Sequence, residues 1–274
     1  MPRNGTETRN RILKALAKSG LQTWVSGEKI ASDLGISRAA LNKHIIELKN
    51  QGNIINALPK RGYQLVALTD PWAADLRRGL KTSCIGKQRW IWLKETDSTN
   101  QVAMLEAMNK ADEGTIVIAR RQTEGRGSKG KTWVDMPGSL MFSILVKPEI
   151  KPDGISRLIW QTLEACAAAV KDACKLSLDC QLPNDLYLNG KKVGGVLIES
   201  LFRNEDLCWA VIGIGLNVNS PADAIPSELS GSATSLYAAT GKSFSQKDIL
   251  KKMLEKLERS ILAPKKNARK EQAG

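Results

Sequence analysis

The stretch PNDLYLNGKKVGGVLIE, Pro183 to Glu199, decides how the larger part of this chain folds. Strand-forming runs at Leu186–Leu188 and Gly195–Phe202 flank Asn189-Gly190. That dipeptide is a strong signal for a two-residue hairpin turn, because both turn positions require positive φ. The same stretch carries chemistry. Asp185 precedes the hairpin, Lys191 and Lys192 follow it, and Gly194-Gly195 lets backbone approach a ligand closely. A glycine pair in a strand also reads as a simple bulge, so the neighbouring stretches must weigh in.

Outward from the hairpin, alternation and β-branched content place further strands at Arg89–Glu95, Thr115–Arg120, Ser139–Val146, Leu176–Gln181 and Leu207–Val218. Ser98 or Thr99 caps a helix whose apolar side is Val102, Leu105, Ala107 and Met108. A long alanine-rich helix over Ile155–Lys175 is apolar enough all round to be buried, and Ser245–Leu262 reads as an amphipathic helix. Strands and helices mix without strict βαβ alternation, so an α+β sheet domain is expected rather than a doubly wound one.

Three more stretches look built for a ligand. TEGRGSKGKTW, Thr123 to Trp133, alternates Gly125, Gly127 and Gly130 with Arg126, Lys129 and Lys131. Glycine permits positive φ and close approach, and successive N–H groups in such turns form an anion-binding concavity. A solvated basic loop is the competing reading. DSTN, Asp97 to Asn100, sets small hydrogen-bonding groups at a helix N-terminus, a place suited to a carboxylate or a ureido-like ligand. GIGLN, Gly213 to Asn217, ends an apolar strand in glycines and an amide.

The first quarter of the chain has a different character. Residues 1–69 hold eleven Lys/Arg against four Asp/Glu, a surplus of seven within a chain of net charge +13. A basic surplus of this kind points to a polyanionic partner. Thr8–Lys18 has helical apolar spacing, and Ser26 and Ser37 cap two short helices joined through Gly35 and Ile36. That is the helix-turn-helix pattern. The second helix presents Ser37, Arg38, Ala39, Asn42 and Lys43 to DNA, while Leu41, Ile45, Ile46 and Leu48 are core candidates. Two extended runs around Pro59-Lys60-Arg61-Gly62 make a β-hairpin wing with Lys60 and Arg61 at its tip.

The remaining composition narrows the chemistry. One histidine, His44, rules out multi-histidine metal sites and argues against a Ser-His-Asp triad. Five cysteines without CxxC spacing read as packing thiols. No run approaches the roughly 18 apolar residues of a membrane span, and MPRNGTETRN lacks a signal segment, so a cytoplasmic protein without a membrane partner is expected. The organisation expected is a winged helix-turn-helix over 1–68, a linker with a short helix over 69–85, a sheet domain over 86–263, and a basic disordered tail over 264–274.

In their order, DSTN, QTEGRGSKGKTW, PNDLY, KKVGGVLIE and GIGLNV resemble the biotin protein ligases. With SGEKIASDLGISRAALNKHI and PKRGYQL included, the chain is similar to the bifunctional biotin operon repressor–ligase family over roughly residues 10–262. The resemblance implies a biotin/lipoate-ligase-like mixed-sheet catalytic domain, with the small SH3-like C-terminal domain expected to be absent. It implies formation of biotinyl-5′-AMP from biotin and ATP with Mg²⁺, then transfer to a lysine of a biotin carboxyl-carrier protein. It also implies operator binding by a homodimer that the adenylate favours.

Carried over, Ser98, Thr99, Asn100, Gln122, Gly125, Arg126, Gly127, Lys192, Gly194 and Gly195 should contact biotin. Lys192, Arg126 and Asp185 should act in catalysis, with Asp185 also the metal candidate. Lys129, Lys131, Trp133, Asn184 and Asn217 should line the nucleotide side. The chain departs from the family at Ser128, where GRGR has its second arginine, and at Gln181-Leu182, where KWPND has Lys-Trp. Those neutral replacements leave open a regulator impaired in transfer, and lipoate-type acids remain an alternative substrate.

Overall fold

The computed structural model describes residues 5–18, 23–50, 54–67, 76–77, 79–148, 154–203 and 206–262. The chain divides into two units, Met1–Asp75 and Leu76–Gly274. In the first, helices α1 (Gly5–Lys18), α2 (Gly27–Leu34) and α3 (Arg38–Asn50) accompany strands β1 (Trp24–Val25), β2 (Ile54–Leu58) and β3 (Gly62–Ala67). The three strands form one antiparallel sheet in the order β1-β3-β2.

The turn between α2 and α3 forms for local reasons. Gly35 adopts φ +62°, a left-handed conformation that ends α2, and Ile36 N–H returns to the Ala31 carbonyl at 3.0 Å. Ser37 Oγ then accepts the Ala40 N–H at 3.1 Å and starts α3. Ile12, Leu16, Ile30, Leu34, Leu41, Ile45, Leu48, Ile55 and Leu65 close the core. Ile46, a core candidate by composition, is instead 51% exposed. The helical period puts 41, 45 and 48 on one face of α3 and turns 46 away.

The second unit is built on a seven-stranded sheet, β4-β5-β6-β10-β9-β8-β7. Its strands are β4 (Trp90–Leu93), β5 (Ile116–Ala119), β6 (Ser139–Val146), β7 (Asp179–Gln181), β8 (Asp185–Leu188), β9 (Lys191–Arg203) and β10 (Asp206–Asn217). β4 and β5 run parallel, and every other pairing among the described strands is antiparallel. Asn189 at φ +52° and Gly190 at φ +76° make the turn between β8 and β9, as the dipeptide requires.

Helix α4 (Thr99–Met108) packs on β5, β6 and β10, while α5 (Ile155–Cys174) packs on β9 and against α7 (Gln246–Leu257). A short helix, α6 (Leu236–Thr240), precedes α7. Burial pushes the Cys166 thiol up and raises that of Cys174 to about 11, which makes both poor nucleophiles. Among the described residues, no helix is long and apolar enough to cross a membrane.

Much of the linker expected over 69–85, and the tail expected over 264–274, lie outside the described residues. The described linker residues pack into the second unit: Leu76, Leu80 and Ile85 are buried. Glu258 holds this segment, accepting the N–H groups of Ser83 (2.5 Å), Cys84 (2.9 Å) and Ile85 (2.8 Å) and the Ser83 hydroxyl (2.9 Å). Burial alone would raise the Glu258 carboxyl, but these four hydrogen bonds outweigh it and hold the group below its ordinary value.

The folded state therefore binds that proton less tightly than the unfolded chain. The stabilisation is complete above the unfolded carboxyl's pKa and is lost as pH falls through the lower folded value. Glu258→Gln should cost about 1–2 kcal/mol at pH 7, a figure discounted for the group's partial exposure. Urea melts at pH 7 and in acid check this, the variant losing less stability on acidification than the parent.

Candidate active site

On one face of the sheet lies a cavity of about 210 Å³, and its lining draws on four stretches distant in sequence. Ser98, Thr99 and Asn100 come from the start of α4, and Gln122 from just past β5. Arg126, Gly127, Ser128, Lys131, Thr132 and Trp133 come from the loop between β5 and β6. Asn184, Asp185, Lys192, Gly195 and Leu197 come from β8 and β9, and Gly213 and Gly215 from β10. Thus most of the candidate residues named from sequence meet at one place.

The floor is made by strand alternation. Gly213 and Gly215, two apart on β10, face the same way, and they pair with Leu197 and Gly195 of β9. A methyl group at Gly215 would lie 2.6–2.7 Å from the Trp133 ring, so the indole rests directly on the strand. Lys192 and Leu197 both line the cavity, and five residues of strand separate them by roughly 16 Å. That length suits an extended ligand whose two ends meet different chemistry.

At the Lys192 end the groups are charged. Lys192 Nζ sits 2.7 Å from Asp185 Oδ1 and 5.9 Å from the centre of the Trp133 ring. Its backbone is clamped, with Lys192 N–H donating to Ser232 O and Thr234 N–H donating to Lys192 O, both at 2.8 Å. Two more cations, Arg126 and Lys131, reach the cavity from the loop, on the side it shares with Leu197 and Glu199. Oriented with its oxygen toward the guanidinium, the Gln101 amide accepts from Arg126 Nη2 and Nε.

At Thr99 and Gln122 the groups that face each other are neutral. Gln122 Oε1 accepts from the Thr99 N–H at 2.7 Å and the Thr99 hydroxyl at 3.0 Å. Gln122 Nε2 meets the Met141 sulfur at 3.5 Å, a weak acceptor. The Gln122 N–H donates to Asp135 Oδ2 at 3.1 Å, and burial raises the Asp135 carboxyl while this bond and Arg121 oppose the rise.

The loop is folded as a strap. Arg126 pairs with Thr132 in a short antiparallel bridge, Gly127 N–H donates to Lys131 O at 2.7 Å, and Trp133 N–H donates to Gly125 O at 2.8 Å. Of its three glycines, only Gly130 has positive φ, at +73°. Gly125 is required for room instead, because a Cβ there would press on the Trp133 carbonyl at 2.5 Å. Ser128, the departure from GRGR, donates to Asn184 Oδ1 at 3.2 Å while Asn184 Nδ2 donates to Val196 O at 2.6 Å. A neutral tie thus joins the loop to the PND turn.

Some candidates lie elsewhere. Asn217 is buried off the cavity, accepting from Ser139 Oγ at 3.2 Å and donating to Thr234 O at 3.0 Å. Gly194 faces away from it, and a methyl there would meet Gly215 O at 2.9 Å. Gly125 lines a neighbouring groove that the loop forms with Leu197 and Glu199. The Lys129 side chain lies outside the described residues, and Gln181 and Leu182 are exposed. Among the described residues, no cluster of three or more His, Cys, Asp or Glu exists that would cage a metal.

The sequence compares with known proteins in both units. Residues 92–217 match the Biotin/lipoate A/B protein ligase family, and residues 8–64 match an HTH domain. Bifunctional ligase/repressor BirA of Bacillus spizizenii is 33% identical over 248 residues, covering 90% of this chain and 76% of that protein. The chain belongs to the bifunctional ligase/repressor family. BirA of Escherichia coli is 31% identical over 210 residues, covering 75% of this chain and 63% of that one. Among solved structures, a biotin protein ligase from Aquifex aeolicus in complex with biotin and ATP is 34% identical, with a TM-score of 0.53. The match covers 62% of this chain and 69% of that one.

In this family member, the first unit places its candidate DNA residues on one accessible surface. Ser37, Arg38, Ala39, Asn42 and Lys43 are all exposed on or next to α3. Arg38 and Lys60 border one groove between that helix and the wing. Arg61 lies over the Trp24 ring at 5.9 Å, which fixes its stem and leaves its charge accessible. His44 is turned inward, with Nδ1 3.6 Å from a Glu47 carboxylate that also binds Arg9.

Proposed function

We propose that this protein activates biotin with ATP to biotinyl-5′-AMP and passes the biotinyl group to a lysine of a biotin carboxyl-carrier protein or domain. Its first unit binds operator DNA, which makes it a biotin-responsive repressor of biotin genes. The carrying observation is the chemistry of the cavity lining: neutral hydrogen-bonding groups at Thr99 and Gln122, the Lys192 ammonium roughly 16 Å of strand away from Leu197, and two loop cations, Arg126 and Lys131, over the site. Biotin has groups to match, with an uncharged ureido ring at one end and a carboxylate at the other.

Activation brings that carboxylate to an anionic α-phosphate. Two unit charges 4 Å apart repel by about 4 kcal/mol at an effective dielectric of 20, so a fixed ammonium beside both oxygens lowers the barrier directly. Lys192 supplies it. Arg126 neutralises the phosphate from the loop side, and Trp133 walls the nucleotide. Mg²⁺ carried on the triphosphate would neutralise further charge, and Asp185, 2.7 Å from Lys192 Nζ, is the carboxylate that would meet it. Support for both ligands comes from the 34% identical Aquifex aeolicus enzyme, whose structure holds biotin and ATP.

Incubation of the pure protein with biotin and MgATP, followed by mass analysis, should yield biotinyl-5′-AMP; none at all overturns the catalytic reading. Addition of an apo carrier domain tests transfer. Ser128 and the exposed Gln181 favour a second reading, a sensor that forms or holds the adenylate and transfers it poorly, because neutral side chains hold phosphates less strongly than cations. Adenylate formation without carrier labelling is that reading's signature. Dimerisation on adenylate binding is read by sedimentation.

For the repressor half, Arg38→Ala should weaken operator binding by about 1–3 kcal/mol and relax the preference at one base pair. Gel-shift titrations on operator and random DNA check this. An equal loss on both would make Arg38 a phosphate contact.

A further inference from the structure

Beside Thr99 and Gln122 runs a polar chain, from Glu199 through Asn100, Ser143 and Thr99 to Gln122, in which Ser143 and Glu199 are the members to which the motifs assign no role. Asn100 Nδ2 donates to Glu199 Oε2 at 2.8 Å, with Leu197 O at 3.4 Å. Asn100 Oδ1 lies 2.6 Å from Ser143 Oγ, and the same hydroxyl lies 2.7 Å from Thr99 Oγ1. Thr99 then reaches Gln122 Oε1 through both its N–H and its hydroxyl. Ser143, Gly213 and Leu197 are neighbours in one row across β6, β10 and β9, so the chain is anchored on the sheet.

Hydrogen-bond bookkeeping gives this chain a direction. A carboxylate offers only acceptors, so Asn100 must turn its nitrogen to Glu199 and its oxygen to Ser143. Ser143 has one proton, and Asn100 Oδ1 and Thr99 Oγ1 are its two acceptors. Gln122 Oε1 is occupied by Thr99, which leaves Nε2 as the strong donor on the cavity wall, opposed only by a sulfur. Ser98, 3% exposed, also lines the cavity.

We propose that Glu199 and Ser143 are positioning residues. Acting through Asn100 and Thr99, they fix the Gln122 amide so that this wall of the cavity donates hydrogen bonds, and they thereby select a ligand with a carbonyl oxygen there. This rests on the biotin reading above, in which that oxygen belongs to the ureido ring. Without the carboxylate the amides are free to flip, and the wall loses its preference for an acceptor.

The test is isothermal titration of biotin and of 2-iminobiotin, whose ureido oxygen is replaced by NH, into the full-length protein and into Glu199→Gln and Ser143→Ala. Each variant should bind biotin about tenfold more weakly, the loss of one well-placed hydrogen bond. Each should also narrow the biotin-to-iminobiotin ratio. The KM for biotin should rise while kcat for adenylate formation stays within about twofold.

Weakening of both ligands by the same factor marks a merely structural role and overturns the proposal, as does an unchanged biotin affinity. If Glu199→Gln does not fold, Ser143→Ala carries the same comparison. A parent protein that binds no biotin overturns the functional reading itself, and this inference with it. A parent that binds biotin beside variants with an unaltered ratio overturns the inference alone.

Discussion

Lys192→Met is expected to lower biotin-dependent adenylate formation by about a thousandfold, while leaving the fold intact. The side chain is partly exposed, and its ammonium pairs with Asp185 at 2.7 Å and lies 5.9 Å from the centre of the Trp133 ring. The strand pairing at this position uses backbone atoms alone. A loss of about 4 kcal/mol of charge compensation at an effective dielectric of 20 corresponds to roughly three orders of magnitude in rate. The methionine variant also leaves the Asp185 carboxylate unpaired beside an incoming anion, so binding of ATP should weaken too. Asp185→Asn on that background should restore part of the binding and little of the rate. Biotin-dependent ATP–pyrophosphate exchange reads the chemistry, and titration reads the binding. A variant that keeps a tenth of the parent rate would show that Lys192 is not the cation at the reacting centre. Lys192→Arg should fall between, because a planar guanidinium keeps the charge and cannot place it at the same point.

Elements set by strong local signals were legible in the sequence, and those set by packing across the sheet were not. Asn189-Gly190 fixes its turn from two residues, and the apolar run Ser139–Val146 is a strand of those same bounds because it is buried along its whole length. Gly35 and Ser37 likewise end and start their helices by local geometry. Most of the apolar residues of α3 enter the core, and the composition does not say that Ile46 is the one left out, because an apolar residue on a short helix carries no label for the face it joins.

The candidate site divides in the same way. Lys192, Asp185, Arg126 and Gln122 reach the cavity as their motifs suggest. Asn217 and Gly194 do not, since one amide is spent on Ser139 and Thr234 and the other residue faces the opposite side of β9. The parts played by Ser143 and Glu199 were not legible for a different reason. Each looks like an ordinary strand residue until the register sets Ser143 against Gly213 and Gly213 against Leu197. Ser128 shows the limit of reading a departure by charge alone, because its hydroxyl has a partner of its own in Asn184.

Gly213→Ala should have the largest effect on biotin binding of any change to the cavity floor. The added methyl would fall on Asn100 Oδ1 and stand 2.8 Å from Asn100 Cγ and 3.0 Å from Nδ2. That amide cannot turn aside cheaply, because Glu199 holds one end and Ser143 the other. Asn100 must therefore leave its seat and break this chain, and the start of α4 shifts with it, taking Thr99 off Gln122. Overpacking and the broken hydrogen bonds together should cost about 2–3 kcal/mol of stability. Biotin affinity should drop by about two orders of magnitude or more, since the donors at Thr99 and Gln122 are displaced together. Gly215→Ala makes the useful contrast. Its methyl meets the Trp133 ring, which belongs to the loop, so the loss should fall on ATP more than on biotin. Adding Asn100→Ala to Gly213→Ala removes the amide that the methyl strikes. In a double-mutant cycle the pair should be more stable than Gly213→Ala alone, while biotin binding stays poor because the amide is gone. Recovery of stability with recovery of binding would place the ligand's contacts elsewhere on the wall; recovery of neither would mean the methyl strains the strand itself.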